Sequence, residues 1–112
     1  MKRSKKRPEP LSGVEARRMP KYTIGVVAKM VGVPPQTLRR YEEAELLAPA
    51  RLDGKNRLYS DENIETLMEI VELSYQGINA TGIRYILQMR QQVTMLQQEI
   101  ESIRIQIGRE EM

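Results

Sequence analysis

The sequence contains neither cysteine nor histidine in its 112 residues. Without cysteine there are no disulfides and no thiol chemistry, and without either residue the usual zinc ligands are missing. Histidine is also the commonest general base in enzymes. We therefore expect the protein not to be an enzyme and to hold no metal or cofactor.

Long apolar runs are lacking as well. No run approaches the ~20 residues that a membrane-spanning helix needs, and no secretory apolar segment follows the basic N-terminus. Aromatic residues make up only 4% of the chain, and all five of them are tyrosines. We expect a cytoplasmic protein without a membrane partner, whose small core consists of Leu, Ile, Val and Met.

Positive charge is present, and it is concentrated in the first half of the chain. Residues 1–21 carry eight Lys and Arg against two acidic residues, and residues 22–59 carry six against four. Residues 60–112 carry four basic residues against nine acidic ones. A polyanion such as nucleic acid should therefore meet the first half of the chain.

The N-terminal segment, residues 1–20, is basic, contains three prolines and has no apolar periodicity. Such a composition cannot offset the entropy lost on ordering, so we predict a disordered tail. The alternative is an arm that binds phosphate groups through its Lys and Arg side chains.

A helix-turn-helix pattern follows this tail. Thr23 is a plausible N-cap, and apolar residues then recur at helical spacing up to Gly32, which suits a left-handed C-terminal position. Pro35 fits the first turn of a second helix, because its missing N–H would be unpaired there anyway. Two short helices joined by such a turn form a helix-turn-helix, in which Leu38 and part of Tyr41 should be buried.

Three polar side chains of the second helix, Gln36, Arg39 and Arg40, should face outward, since they fall within a sector of about 100°. The paired donors of Arg, and the donor and acceptor of the Gln amide, match base edges in the major groove of DNA. The alternative is that two arginines on an exposed helix face only keep the protein soluble.

The stretch ARLDGKNRLYS comes next, and its Asp53-Gly54 pair is a strong turn signal. Around this turn the basic residues Arg51, Lys55 and Arg57 should point outward. The pattern predicts a small basic β-hairpin directly after the second helix. A helix-turn-helix followed by such a hairpin is a winged helix-turn-helix.

The second half of the chain is predicted to be helical. Ser60 should cap a third helix whose apolar face points into the core, and Asn79 should cap a fourth. The residues expected on the core face of the third helix are Ile64, Leu67, Met68 and Val71.

Seven apolar residues in this half step alternately by three and four positions: Ile86, Met89, Val93, Leu96, Ile100, Ile103 and Ile107. These are the a and d positions of three heptads, and we call them the seam. A single helix cannot bury this stripe alone, so we predict a homodimer. Packing of the seam against the protein's own core is the alternative.

Four motifs, IGVVAKMVGV, QTLRRYEEAELLAPAR, GKNRLYSDENIETL and QGINATGIRYI, resemble in this order the DNA-binding and dimerisation parts of MerR-family transcription regulators. The resemblance extends from about Lys21 to Leu96. Within the family, PPQTLRRYE, RLYS and GINATGI are most similar to HspR-type heat-shock repressors, with GlnR-type nitrogen regulators second.

The resemblance implies a mostly α fold, a winged helix-turn-helix with a small β-hairpin wing followed by a C-terminal dimerisation coiled-coil helix. The implied division is a tail at 1–20, a DNA-binding domain at 21–88 and a dimerisation helix at 89–112. It also implies contacts to bases or backbone from the second helix, by Gln36, Thr37, Arg39, Arg40 and Tyr41. Phosphate contacts are implied from the wing and the first helix, by Lys55, Asn56, Arg57, Tyr59, Thr23 and Lys29.

The function implied is a homodimeric repressor that binds double-stranded DNA at inverted-repeat operators, since two-fold symmetric proteins read two-fold symmetric sites. An HspR-like protein would repress chaperone genes with the chaperone DnaK as co-repressor. The alternatives are a GlnR-like nitrogen-metabolism repressor, a phage excisionase-like architectural DNA-binding protein, and an adaptor that no longer binds DNA.

Three departures from the family pattern stand out. Glu45 occupies a position where the family usually has Gly, and Arg40 replaces a common Tyr, which bears on base preference. The chain ends at Met112, soon after the seam. We therefore expect no ligand-binding domain after the coil and, without cysteine, no metal-sensing or drug-sensing role.

Overall fold

A computed structural model describes residues 13–52 and 54–111. In this part of the chain the elements follow in the order α1 (Gly13–Arg18), β1 (Tyr22–Thr23), α2 (Ile24–Val31), α3 (Pro35–Glu43), β2 (Ala50–Leu52), β3 (Asn56–Tyr59), α4 (Asp61–Tyr75) and α5 (Ala80–Glu110). The prediction of a mostly α winged helix-turn-helix with a hairpin wing and a long C-terminal helix is confirmed.

The helix-turn-helix consists of α2 and α3, and its turn is set by residues that the sequence had indicated. The hydroxyl of Thr23 accepts a hydrogen bond from the N–H of Val26 at 3.5 Å and caps α2. Gly32 ends α2 in the left-handed conformation with φ of 77°. Pro34 then takes the N-cap position of α3 and Pro35 its first residue, where neither needs an N–H donor.

The end of α3 takes a left-handed residue that is not glycine. Glu45 has φ of 62°, while the N–H of Glu45 donates to Glu42 O at 2.9 Å and the N–H of Leu46 donates to Tyr41 O at 3.0 Å. These two bonds form a Schellman motif, and the buried Leu46 supplies its apolar contact. The turn keeps the geometry that glycine would give, although a left-handed non-glycine residue costs roughly 1–2 kcal/mol.

The sheet has three strands in the order β1-β3-β2, all antiparallel. In the hairpin, Arg51 lies directly opposite Arg57, and Gly54 in the turn has φ of 72°. Asp53, the other residue of the predicted turn signal, lies outside the described residues. The two-residue strand β1 pairs with the far edge of β3 and was not predicted, because two residues carry no periodicity.

The core lies between α2, α3, α4, the start of α5 and the sheet. Its fully buried side chains are Val27, Leu38, Tyr59, Leu67 and Ile70. The prediction for Met68 is wrong, because its side chain is 52% exposed and α4 instead buries Ile70 and Leu73. One residue turns a helix by about 100°, so Met68 lies well round from the face that Leu67 buries.

The predicted disorder of the N-terminal segment is wrong for Gly13–Arg18, which form helix α1. None of its side chains is buried, and an isolated helix of six residues is too short to be stable in water. Ion pairs connect this segment and the following Lys21 to α4: Arg17–Glu65, Arg18–Glu62 at 3.7 Å and Lys21–Asp61 at 3.1 Å. Residues 1–12 of the predicted tail lie outside the described residues.

The turn between α4 and α5 places the long helix. Gly77 has φ of 89°, and the side chain of Asn79 accepts a hydrogen bond from the N–H of Gly82 at 2.9 Å, as predicted for a cap. A Cβ on Gly82 would lie 2.8 Å from Cγ2 of Ile78, so close packing requires glycine at this position. Helix α5 is continuous across residues 88 and 89, where the sequence had placed a domain boundary.

Asp61 joins β1 to the first turn of α4. Its carboxylate accepts a hydrogen bond from the hydroxyl of Tyr22 at 2.7 Å and lies 3.1 Å from Nζ of Lys21. The hydrogen bond from Tyr22, followed by that from Lys21, lowers the pKa of Asp61 below its ordinary value of 3.8. The hydrogen bond to Asp61 also raises the pKa of Tyr22 above 10.0.

We predict that Asp61→Asn lowers the free energy of unfolding near neutral pH. Because the pKa of Asp61 is lowered in the folded state, its contribution is present above the ordinary value of 3.8 and is lost as the pH falls through the lowered value. Urea unfolding of both proteins at a series of pH values should show the difference closing in acid. Glu62→Gln, a charge removed from the same turn, is the control and should cost less. A loss that is equal at every pH would contradict the prediction.

Candidate nucleic-acid interface

Helix α3 presents a polar face because its apolar side is fixed in the core. Leu38 is fully buried and Tyr41 is half-buried against the core. On the outer side Gln36 and Arg40 are exposed, and Arg39 is half-buried. Nη1 of Arg39 lies 3.5 Å from Oε1 of Gln36, so these two side chains run together along the helix.

The remaining predicted contact residues of α2 and α3 lie on or near the surface. Thr23 and Lys29 are exposed, although the hydroxyl of Thr23 is already used in capping α2. Thr37 is half-buried. Lys29, in the last turn of α2, places a positive charge at the surface.

The tip of the wing is exposed and polar. Lys55 and Asn56 follow Gly54 in the turn, and all three residues are exposed. Nη1 of Arg51 lies 3.5 Å from the carbonyl oxygen of Lys55, across the hairpin. An ammonium and an amide at the end of a short hairpin suit contacts to the sugar–phosphate backbone.

Arg57 does not point freely outward as predicted. Its Nε donates to Oε1 of Glu42, while Nη2 of Arg51 donates to Oε2 of the same carboxylate at 2.5 Å. One carboxylate of α3 thus binds both arginines of the wing, and we call these three residues the Glu42 clamp. Sequence reasoning missed Glu42, although two arginines opposite each other in a hairpin indicate a need for a counter-charge.

Tyr59 is a correction to the predicted phosphate contacts. Its side chain is fully buried, so it offers no atom to DNA. Its hydroxyl has no hydrogen-bond partner among the described residues. Burial, and then the negative charge of Glu42, raise the pKa of Tyr59 above 10.0, which keeps the phenol neutral. Its position inside the sheet decided this outcome, and the RLYS motif alone did not reveal it.

The seam runs along one side of α5. Ile86 packs partly against the core, while the other six seam residues are between 48% and 57% exposed. A row of half-exposed Ile, Val, Leu and Met side chains over three heptads is typical of a helix that pairs with another.

Arg84, near the start of α5, was not predicted as a functional residue. Its Nη1 donates to the carbonyl oxygen of Ala44 at 2.9 Å, and Ala44 is the C-cap of α3. The base of α5 is thereby joined to the end of α3. The two residues are 40 positions apart, so no local signal in the sequence indicates the contact.

The part of the chain that the structure describes has neither a membrane-spanning helix nor a cluster of metal ligands. No helix there combines the length and the apolar content needed to cross a membrane. No group of three or more acidic side chains there is placed to hold a metal ion.

The arrangement of α2, α3, the wing and α5 matches a known family. The family model for MerR HTH family regulatory proteins covers residues 22–90. The chain belongs to the MerR family. Its members are DNA-binding transcription regulators, so the exposed face of α3 and the wing form the candidate interface for DNA.

Two relatives place the chain within this family. It is 43% identical over 79 residues to a putative heat shock protein HspR of Streptomyces coelicolor, covering 70% of this chain and 52% of that protein. It is 35% identical over 80 residues to the HTH-type transcriptional regulator GlnR of Bacillus cereus, covering 71% of this chain and 62% of the relative. The matched part thus spans less than two thirds of either relative, and the predicted order of HspR before GlnR is confirmed.

A solved structure shows the same fold. The N-terminal part of MtaN, the multidrug transporter activator of Bacillus subtilis, superposes with a TM-score of 0.56 and 31% sequence identity. The match covers 77% of this chain and 92% of that structure.

Proposed function

We propose that this MerR-family protein is a homodimeric, cytoplasmic repressor that binds inverted-repeat operators of chaperone and heat-shock genes. The observation that carries the proposal is the combination, in one short chain, of an outward-facing recognition helix and an exposed apolar seam. The first suits base edges and the second requires a partner.

A second copy of the chain is the partner that fits the seam. The seam spans Ile86 to Ile107, about 33 Å at 1.5 Å per residue. Helix-turn-helix dimers read half-sites that lie one turn of B-DNA apart, about 34–36 Å. A two-fold dimer would therefore present its two α3 helices to two symmetric half-sites.

The heat-shock assignment rests on the similarity to HspR, and it implies that DnaK acts as co-repressor. Under this proposal the signal would reach the protein through DnaK docking on its surface. The similarity to GlnR supports nitrogen metabolism as the alternative role.

We predict that Arg39→Ala and Lys55→Ala weaken DNA binding in different ways. Loss of Arg39 should relax base preference and cost about 1–3 kcal/mol at the preferred sequence, because a base contact is lost. Loss of Lys55 should weaken binding to all sequences and lower the salt slope by about 1, because a phosphate contact is lost.

The measurement is fluorescence anisotropy on operators selected from a random pool and on unrelated DNA, over a range of salt concentrations. Arg104→Ala, an exposed arginine of α5, is the control and should change neither quantity. If neither Arg39→Ala nor Lys55→Ala alters the affinity for DNA, the result favours the alternative of an adaptor that no longer binds DNA.

We predict that Ile100→Glu dissociates the dimer and that Ile105→Glu does not. Both isoleucines are half-exposed on α5, at 49% and 48%. They lie about 140° apart round the helix, so Ile100 belongs to the seam and Ile105 does not. Sedimentation equilibrium without DNA should show monomers for the first variant and dimers for the second. Dimers of Ile100→Glu would rule out the seam as the interface.

We predict that purified DnaK tightens binding to the selected operator. Titration of DnaK into the operator complex, with serum albumin as the control protein, measures the effect as a change in apparent Kd. No change at saturating DnaK would contradict the heat-shock role and favour the GlnR-like alternative, while leaving DNA binding itself intact.

A further inference from the structure

The strand pairing of the wing places two positive charges opposite each other, which would destabilise the wing if nothing compensated for it. Arg51 and Arg57 are direct partners in the register of β2 and β3, so their side chains lie on the same face of the hairpin. Like charges directly opposite each other destabilise a strand pair. The compensating charge comes from neither strand, because the carboxylate that binds both guanidinium groups belongs to Glu42 of α3.

The Glu42 clamp is also shielded from solvent. The side chain of Glu42 is 15% exposed and that of Arg57 is 22% exposed, while Arg51 is 40% exposed. Charge-assisted hydrogen bonds in such partly buried positions are stronger and more directional than surface ion pairs. The clamp therefore fixes the distance and the angle between the recognition helix and the wing.

The carboxylate of Glu42 lowers the affinity for any polyanion, because it repels phosphate groups near α3 and the wing. The clamp contains two guanidinium groups and one carboxylate, so it keeps a single net positive charge. Of the two arginines, Arg51 is the more exposed to solvent. Glu42 thus lowers the affinity for DNA of every sequence while it fixes α3 and the wing relative to each other. Its benefit would be a higher specificity for one sequence.

We propose that Glu42 is a positioning residue for sequence-specific recognition, which it achieves by holding the wing in register with α3. Base contacts from α3 and phosphate contacts from the wing tip are then made together on one sequence. This inference rests on the proposed function, because it presupposes that the protein prefers some DNA sequences over others.

Two substitutions at Glu42 separate its geometric role from its charge. Glu42→Gln keeps the shape and removes the charge, so it should tighten binding to unrelated DNA and lower the ratio of specific to non-specific affinity about tenfold. Glu42→Asp keeps the charge but is one methylene shorter and cannot reach both arginines. It should lower the ratio and leave binding to unrelated DNA unchanged.

Glu43→Gln is the matched control. Glu43 is the next residue of the same helix and is exposed, outside the Glu42 clamp. Its substitution removes the same charge, so it should tighten binding to specific and unrelated DNA by the same factor. Thermal unfolding followed by circular dichroism checks that each variant is folded at the temperature of the assay.

The wild-type ratio is measured first, with the selected operator and a scrambled duplex. If the wild type shows no sequence preference, both the proposed function and this inference fail. If the wild type discriminates but Glu42→Asp keeps its full ratio, or Glu42→Gln behaves as Glu43→Gln does, only the inference on Glu42 fails. A lowered ratio in both Glu42 variants, with an unchanged ratio in Glu43→Gln, supports it.

Discussion

Pairing on both edges of β3 is the constraint on which the rest of the structure depends. This four-residue strand binds β2 on one side and β1 on the other, and β1 leads directly into α2. Its last residue, Tyr59, is fully buried, and Ser60 after it caps α4 through a reciprocal pair of hydrogen bonds with Asn63. The wing, the start of the helix-turn-helix and the start of α4 are therefore positioned by one short strand, which explains how so small a core orients them.

The sequence predicted the features that depend on neighbours within a few residues. The caps at Thr23 and Asn79 and the left-handed end at Gly32 are contacts between residues three or four apart, and these were found correctly. Met68 was assigned to the wrong face of its own helix, but the electrostatic failures required partners far along the chain. Arg57 met a carboxylate 15 residues away, and Arg17 met one 48 residues away, so their positions could not be inferred from composition. The fold was thus largely predictable, whereas the electrostatic arrangement of the candidate interface was only partly so.

The acidic second half of the chain has a structural role that its net charge concealed. Successive acids of α4 pair with cations from three separate parts of the protein: Asp61 with Lys21, Glu62 with Arg18, Glu65 with Arg17 and Glu69 with Arg90. The first half contributes three of these four cations, so part of its positive charge is neutralised internally. Helix α4 therefore connects the N-terminal segment to α5 through these ion pairs, while the exposed cations Lys29, Arg40 and Lys55 lie on α2, α3 and the wing tip.

The hydrogen bond from Arg84 to Ala44 attaches the base of α5 to the end of α3, so α5 can act as a lever on α3. A helix of 31 residues is about 46 Å long, so a tilt of about 5° at its base displaces its tip by about 4 Å. Conversely, a force applied at the tip of α5 produces a larger force at its base. Because Arg84 donates to a backbone carbonyl oxygen, this hydrogen bond does not depend on the side chain at position 44. A substitution of Ala44 would therefore leave the acceptor of this hydrogen bond in place.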